Sequence, residues 1–407
     1  MNTHNPLPKS GAPASLRRAD NPLPTVLDET VLRSFSFFYY MTMALTITYF
    51  PLYFDAKGYS KLQIGALYSI GPLIGIFANL FWGFLSDKYQ TVRKLLIVIL
   101  TCQLLTVVAL NGIDSLGWLY ALMTLFYFCH MPITPLNDSL ILLTVSRTGK
   151  SYASFRVFGS LGFASAALLF GFLLRRIGVD YTMWLTATTV GLSLALSFWL
   201  KDRAGSGAKM DFSGVRRVIA NPRFLCFLAF LFLLSFAHRT NDGFLTLYLR
   251  ELGADDTLVG WSWMASALSE IPTFLFLSKY GHRYKELPLL MIAGIAYAAR
   301  FFLISVVDRP EWVIALQLLH SCSFGIFLVT SLRYIQRLVP DEFRATGQAV
   351  FAVTWSCIAG LASGVAGGSI YEALGGPIMY RIAALSALLG AAGFFATHLW
   401  LRRRGEA

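Results

Sequence analysis

Charged residues are scarce in this chain. Asp, Glu, Lys and Arg make up 14% of its 407 residues, where a soluble protein carries about a quarter. Cysteine is rarer still: Cys102, Cys129, Cys226, Cys322 and Cys357 all fall inside apolar runs with no short paired spacing. That argues against a disulfide framework and against a zinc site, so no metal is expected. No phosphate-binding Gly-x4-Gly-Lys loop occurs, which removes ATP as the expected energy source. No nucleophile, base and orienting group stand at catalytic spacing either, so an enzyme is not expected. The first thirty residues lack the apolar core of a signal peptide and are polar, with repeated Pro and Asn. They read as a disordered cytoplasmic tail.

Hydrophobic residues fill what the charges leave. They reach 56% of the chain, with 33 Phe and 33 Gly and a mean hydropathy of +0.59. Such a composition suits helices packed closely in lipid. The net charge of +12 is explained by topology and not by nucleic acid. Basic residues crowd alternate connections, at Arg17, Arg18 and Arg33, then Lys88, Arg93 and Lys94, then Arg147 and Lys150, and again at Arg216, Arg217 and Arg402–Arg404. The intervening connections hold few, among them Lys57, Lys61 and Arg309. This is the positive-inside pattern, and it predicts a multi-pass protein of the plasma (inner) membrane with both termini in the cytoplasm.

Twelve runs approach the roughly 20 apolar residues that a bilayer demands. They lie at 31–54, 62–86, 93–112, 117–145, 154–176, 181–201, 224–250, 258–279, 287–307, 312–336, 345–370 and 378–401. The one long break is basic and ends in Asn-Pro. The expected organisation is a tail at 1–30, a six-helix half at 31–201, a cytoplasmic linker at 202–222, a second half at 223–401 and a tail at 402–407. Internal similarity supports two related halves. Leu52-Tyr53, Gly58 and Gly65 recur as Leu247-Tyr248, Gly253 and Gly260, at one offset of 195. Phe155-Arg156, Gly159 and Phe163 recur as Phe343-Arg344, Gly347 and Phe351, at an offset of 188. Parallel six-helix repeats imply a solute site between the halves near midplane, with rocking for alternating access.

The connection after the second run reads Gly83-Phe-Leu-Ser-Asp87-Lys88, followed by Arg93-Lys94. Here the chain resembles the major facilitator superfamily, whose GxxxD(R/K)xxR/K-type loop sits at this place. The spacing has a physical reason. Gly83 permits close helix approach, and Asp87 pairs with Lys88 and Arg93 to latch one state of a gate. An ordinary basic turn is the plainer alternative. Three further stretches narrow the resemblance: Asn137-Asp138-Ser139 with Phe155-Arg156, then Glu270-Ile271-Pro272, then Phe343-Arg344 with Gly347-Gln348. They are similar to the branch containing phenylpropionate permease, lactose permease and nucleoside:proton symporters. The fold implied is an all-α membrane protein of twelve transmembrane helices in two pseudo-symmetric halves.

Ionisable groups inside apolar runs are costly, so each needs a partner or a watery cavity. Asp138 and Arg156 lie toward the same end of neighbouring runs and could meet, either to hold a solute beside Asn137 or to form a structural ion pair. The seventh run carries His238, Arg239, Asn241 and Asp242; His238 and Asp242 share a helix face. That set could line a cavity or lock helices together. Glu270 has no basic neighbour within a turn, and a buried carboxylate that gains and loses a cation is a natural proton carrier. Arg300 and His320 stand at comparable depth. A Glu–Arg–His set there resembles the proton-coupling site of lactose permease, although Gln317 and Ser323 replace the flanking charged residues. His130 precedes Pro132 and Pro135 and either faces the cavity or, as the more expected use, bonds freed backbone, and Arg333 is expected to snorkel.

The sequence therefore predicts a secondary active transporter that imports a small organic solute with protons, with no cofactor. The solute class (aromatic acid, nucleoside or oligosaccharide) stays open, and a monomer suffices. A proton-driven exporter of amphiphiles is the nearest rival; a membrane enzyme or sensor is more remote.

Overall fold

The computed structural model describes residues 24–113, 115–150, 152–201, 220–340 and 344–404, without the side chains of Asp87, Ala153, Ser278, His282, Arg344 and Ala345. Most of the expected linker, the start of the N-terminal tail and Phe343 thus lie outside the described residues. Those residues form twelve helical spans. In the first half they are α1 (Val26–Thr48, continued by Phe50–Ala56), α2 (Lys61–Tyr89), α3 (Arg93–Leu110), α4 (Leu116–His130, continued by Ile133–Thr148), α5 (Ala153–Ile177) and α6 (Thr182–Ser197). In the second they are α7 (Pro222–Glu251), α8 (Asp256–Tyr280), α9 (Glu286–Ile304), α10 (Pro310–Gln317, then Ser321–Gly325 and Ile326–Leu338), α11 (Arg344–Ala352 through Gly368–Leu374) and α12 (Gly376–Arg403).

Among the described residues nine of these are long and apolar enough to cross a membrane on composition alone. The other three have visible reasons. α1 is interrupted at Tyr49, just before Pro51; α6 has only 16 residues; α8 carries Ser262, Ser266, Ser269 and Glu270. Large apolar side chains cover the outside, with Leu275 68% exposed and Trp118 67% exposed. A lipid solvent explains so much exposed hydrocarbon, and water does not.

The first helix starts at Val26, earlier than the polar tail to residue 30 suggested. Thr25 accepts from the Asp28 amide and Asp28 accepts from the Thr25 amide at 3.2 and 3.0 Å. That reciprocal cap satisfies two amides that would otherwise be orphaned.

The 195-residue repeat is visible as geometry. Gly58 and Gly253 both take left-handed backbone, at φ 84° and 89°, where a side chain would be strained. Two residues on, Ser60 and Asp255 each cap the following helix, accepting from the Gln63 and Leu258 amides. Gly65 and Gly260 then sit where the halves touch. A Cβ on Gly65 would stand 2.2 Å from the Gly364 carbonyl oxygen, and one on Gly260 would stand 2.2 Å from that of Ala167. So α2 crosses α11, and α5 crosses α8, with backbone on backbone.

Both crossings lie at the end of the bundle remote from the chain termini. Arg175 pairs with Asp255 across the halves at 3.0 Å there, and the Leu62 amide donates to Glu372 at 2.8 Å. Near the termini the described ion pairs stay within one half: Glu29 holds Arg33 and Lys150, and Glu286 holds Arg333 and Arg337. Arg333 also donates to the Gly281 carbonyl at 2.6 Å, so it ties the α8–α9 turn where snorkelling was expected. The molecule is sealed at the far end.

If the glycine crossings are that seal, Gly260→Val must open it, and Gly191→Val, where a Cβ meets nothing within 4 Å, must not. Alkylation of an Ile47→Cys probe from the far side, in a chain otherwise free of cysteine, should quicken by about tenfold for a shift of about 1.4 kcal/mol. An unchanged rate in Gly260→Val would place the seal elsewhere.

Candidate functional site

Between the halves lie two adjoining chambers. One, of about 270 Å³, is walled by α1, α2 and α4 on one side and α7 and α11 on the other. The second, of about 260 Å³, is walled by α1 and α5 opposite α7, α8, α10 and α11. Met43, Ile47, Arg239 and Asp242 belong to both walls. The cavity lies between the two halves, as parallel repeats imply.

The wall of the second chamber holds a continuous polar chain. Glu270 on α8 is 2.8 Å from Nε2 of His320 on α10. Nδ1 of His320 is 2.8 Å from Arg300 on α9, and Arg300 also donates to the side-chain oxygen of Gln317, which accepts from Ser266 at 2.8 Å. A guanidinium has donors only, so Nδ1 must accept from Arg300. The ring proton therefore sits on Nε2, which donates to Glu270. Arg300 fixes the tautomer and orientation of the group that touches the carboxylate. Arg300 itself is fully buried and bonds no carboxylate directly. Local backbone helps: α10 widens into a π-turn over Ser321–Gly325 straight after His320, a distortion frequent at functional sites. At Gly325 a Cβ would press to 3.1 Å on Thr273 of α8, so glycine lets the two helices approach.

A second cluster centres on α7. His238 and Arg239 both reach Asp242, each at 3.3 Å, as their spacing predicted. Tyr297 of α9 lies 3.1 Å from the other ring nitrogen of His238. Arg239 also donates to Ser356 at 3.1 Å and lies over the Trp355 ring at 4.9 Å. Phe324 stacks on both His238 and His320, at 4.8 and 5.1 Å between centroids. The two clusters are thus packed together through the Phe324 ring, and the His238 and His320 rings also stack on each other at 5.7 Å between centroids.

The first half contributes differently from the expectation. Asp138 and Arg156 form no ion pair. Asp138 accepts from the Tyr152 hydroxyl at 2.8 Å and lines neither chamber, because Tyr152, on the turn leading into α5, meets it first. Arg156 lines the second chamber, 4.3 Å above the Tyr40 ring, with its buried Nη1 unbonded. Gly159 makes room: a Cβ there would stand 2.7 Å from Tyr40 and 2.8 Å from Arg156. Asn137 and Asn241 turn away into helix packing, to Ser36 at 3.0 Å and Tyr380 at 3.3 Å. His130 bonds Gln103 at 2.9 Å in place of backbone and stacks on Phe126.

The expected gate is only partly seen. A Cβ at Gly83 would meet nothing within 4 Å, so no close approach needs that glycine with the halves arranged as they are here. Asp87 lies outside the described side chains. Lys88 is exposed over Tyr89 at 5.5 Å. Arg93 opens α3, and Gln90 closes α2 in left-handed conformation at φ 51°.

A family model described as the MFS_1 like family matches residues 30–382. The chain belongs to this family. It is a major facilitator superfamily transporter, a multi-pass membrane protein and not an enzyme. The maltose permease of Geobacillus stearothermophilus is 27% identical over 344 residues, 83% of this chain and 87% of that one. A probable 3-phenylpropionic acid transporter of Escherichia coli is 25% identical, over 74% of this chain and 80% of that one. The crystal structure of the nucleoside transporter NupG superposes with a TM-score of 0.81 over 91% of this chain and 98% of that one, at 17% identity, which bears on the fold alone.

Within this major facilitator transporter, Gln317, Ser266 and Tyr297 complete the clusters and were not singled out as site residues by sequence. The polar residues near Glu270 and His320 were the available signal. Gln317→Leu removes an acceptor from buried Arg300 and should cost about 1.5–3 kcal/mol, as for a bond to a charged group. Thermal unfolding in detergent measures it; an unchanged midpoint would mean that Gln317 is dispensable to Arg300.

Proposed function

We propose that this transporter takes up a small organic solute together with protons, by alternating access. The observation that carries this reading is the chain Glu270–His320–Arg300 on the wall of the inter-half cavity. A carboxylate there meets solute, a neutral imidazole donor and, one bond further, a cation. Adding a proton to Glu270 breaks no other bond than the one it accepts from His320. Arg300 holds the ring, so His320 acts as a positioning donor and Glu270 as the proton-carrying group.

Solute would enter between Arg156 on one side and His238, Arg239 and Asp242 on the other, which all face the second chamber. The sealed far end and half-confined ion pairs near the termini describe a state open toward the termini. The positive-inside pattern makes that side the cytoplasm of a plasma or inner membrane. A proton gradient supplies the energy, and a monomer contains the whole cavity. The names of relatives, covering maltose, 3-phenylpropionic acid and nucleosides, support a small organic solute.

Proteoliposomes with a trapped pH dye test this. Solute added outside wild-type protein should acidify the lumen, and Glu270→Gln should abolish the acidification while solute exchange between the two sides persists. Proton flow outward with amphiphile moving inward on an imposed gradient would replace uptake by export.

A further inference from the structure

The cavity and its immediate surroundings hold three guanidinium groups, on Arg156, Arg239 and Arg300, and three carboxylates, on Asp138, Asp242 and Glu270. Five of the six have side-chain hydrogen-bond partners. Arg239 is bonded to Asp242 and Ser356, Arg300 to Gln317 and His320, Asp138 to Tyr152, and Glu270 to His320. Arg156 differs: its guanidinium lines the second chamber and rests on the Tyr40 ring without an ion pair among the described residues, whereas Arg239 is paired with Asp242 and Arg300 lies outside both chamber walls. A cation on a cavity wall without an anionic partner is costly. A solute oxyanion in the chamber would compensate the guanidinium with a charge-assisted bond.

The adjoining chamber has another character. Its wall includes Tyr39, Tyr68, Tyr127, Met131 and Pro72, and the Arg239–Asp242 pair supplies the charged groups there. Flat aromatic and hydroxyl surface of this kind suits a ring more than a chain of sugar hydroxyls.

We propose that the solute is an amphipathic organic monoanion, an aryl or aryl-alkyl carboxylate. Its carboxylate takes the guanidinium of Arg156, its ring occupies the tyrosine-walled chamber, and it crosses with one proton held on Glu270. The proposal deepens the proton-symport reading and rests on it. Its logic is one of charge. With all six groups ionised the set is neutral, and an anion alone would leave one uncompensated negative charge in a poorly hydrated cavity. A proton joining the Glu270 carboxylate, with no other bond made or broken save the one accepted from His320, restores neutrality. The loaded and empty carriers then have the same charge, and transport is electroneutral. A neutral nucleoside or sugar would leave the Arg156 guanidinium without an anionic partner and would need no proton.

Proteoliposomes of the full chain give the test, with cinnamate, its amide, uridine, maltose and a membrane-impermeant sulfonate analogue as probes. Cinnamate uptake should saturate, follow an inward proton gradient, ignore a potassium-diffusion potential, and be inhibited by the sulfonate but not by the neutral probes. Arg156→Gln should weaken cinnamate binding by at least about tenfold, the loss of one bond to a charge, and Arg156→Lys should restore part of it. Glu270→Gln should still bind and exchange cinnamate while failing to accumulate it. Proton-driven uptake of uridine or maltose with cinnamate inert would overturn the anion assignment and leave proton symport standing. Cinnamate uptake that follows the membrane potential would overturn the charge argument. Absence of proton coupling with every probe would overturn both readings.

Discussion

The constraint on which the second half depends is the burial of Arg300. A guanidinium cannot shed its charge in a protein interior, and it must find acceptors wherever the fold puts it. Here they are the neutral oxygen of Gln317 and the ring nitrogen of His320, and no carboxylate touches it. That choice orders everything around it. It sets the tautomer of His320, and through His320 the bond to Glu270. The carboxylate is therefore held by a donor that is itself held, while remaining one bond away from the positive charge. A direct Arg–Glu pair would be tighter and harder to protonate. The indirect arrangement leaves Glu270 able to change its charge without dismantling the core.

Arg156 plays the opposite part across the cavity. It is a cation with one buried donor unbonded, cushioned on an aromatic ring and given room by Gly159. In the proposed reading one half of the molecule thus presents a fixed positive charge to the solute, and the other a group whose charge can change. Alternating access would bring both to either side of the membrane together. The glycine crossings at the far end let helices meet with backbone on backbone. Small residues make that contact reversible, because no interlocked side chains have to be withdrawn.

Much of the architecture was legible in the sequence. Run length and basic-residue asymmetry gave the spans, and the 195-residue repeat marked the turns and crossings, since Gly58, Gly65, Gly253 and Gly260 answer to backbone demands that only glycine meets. The site was legible where chemistry acts along one helix. His238, Arg239 and Asp242 meet as their spacing required. Glu270, Arg300 and His320 were found because ionisable groups are rare in such runs. What failed was orientation. Asn137, Asp138 and Asn241 lie in or near polar stretches, yet their side chains turn toward Ser36, Tyr152 and Tyr380. Periodicity places a residue on a helix, but the neighbouring helix decides whether that face is cavity or core. Gln317 was noticed as a departure from a pattern, and it proved to be the acceptor that replaces a charge.

Proton uptake on binding tests the central claim most directly. Purified protein in weakly buffered detergent solution, mixed with saturating cinnamate, reports it through a pH indicator. Linked binding predicts that about one proton leaves solution per site, that cinnamate affinity falls as pH rises, and that Glu270→Gln binds with no uptake and a flat pH profile. Tight binding with no proton taken up by the wild type, or uptake undiminished in Glu270→Gln, would contradict the account.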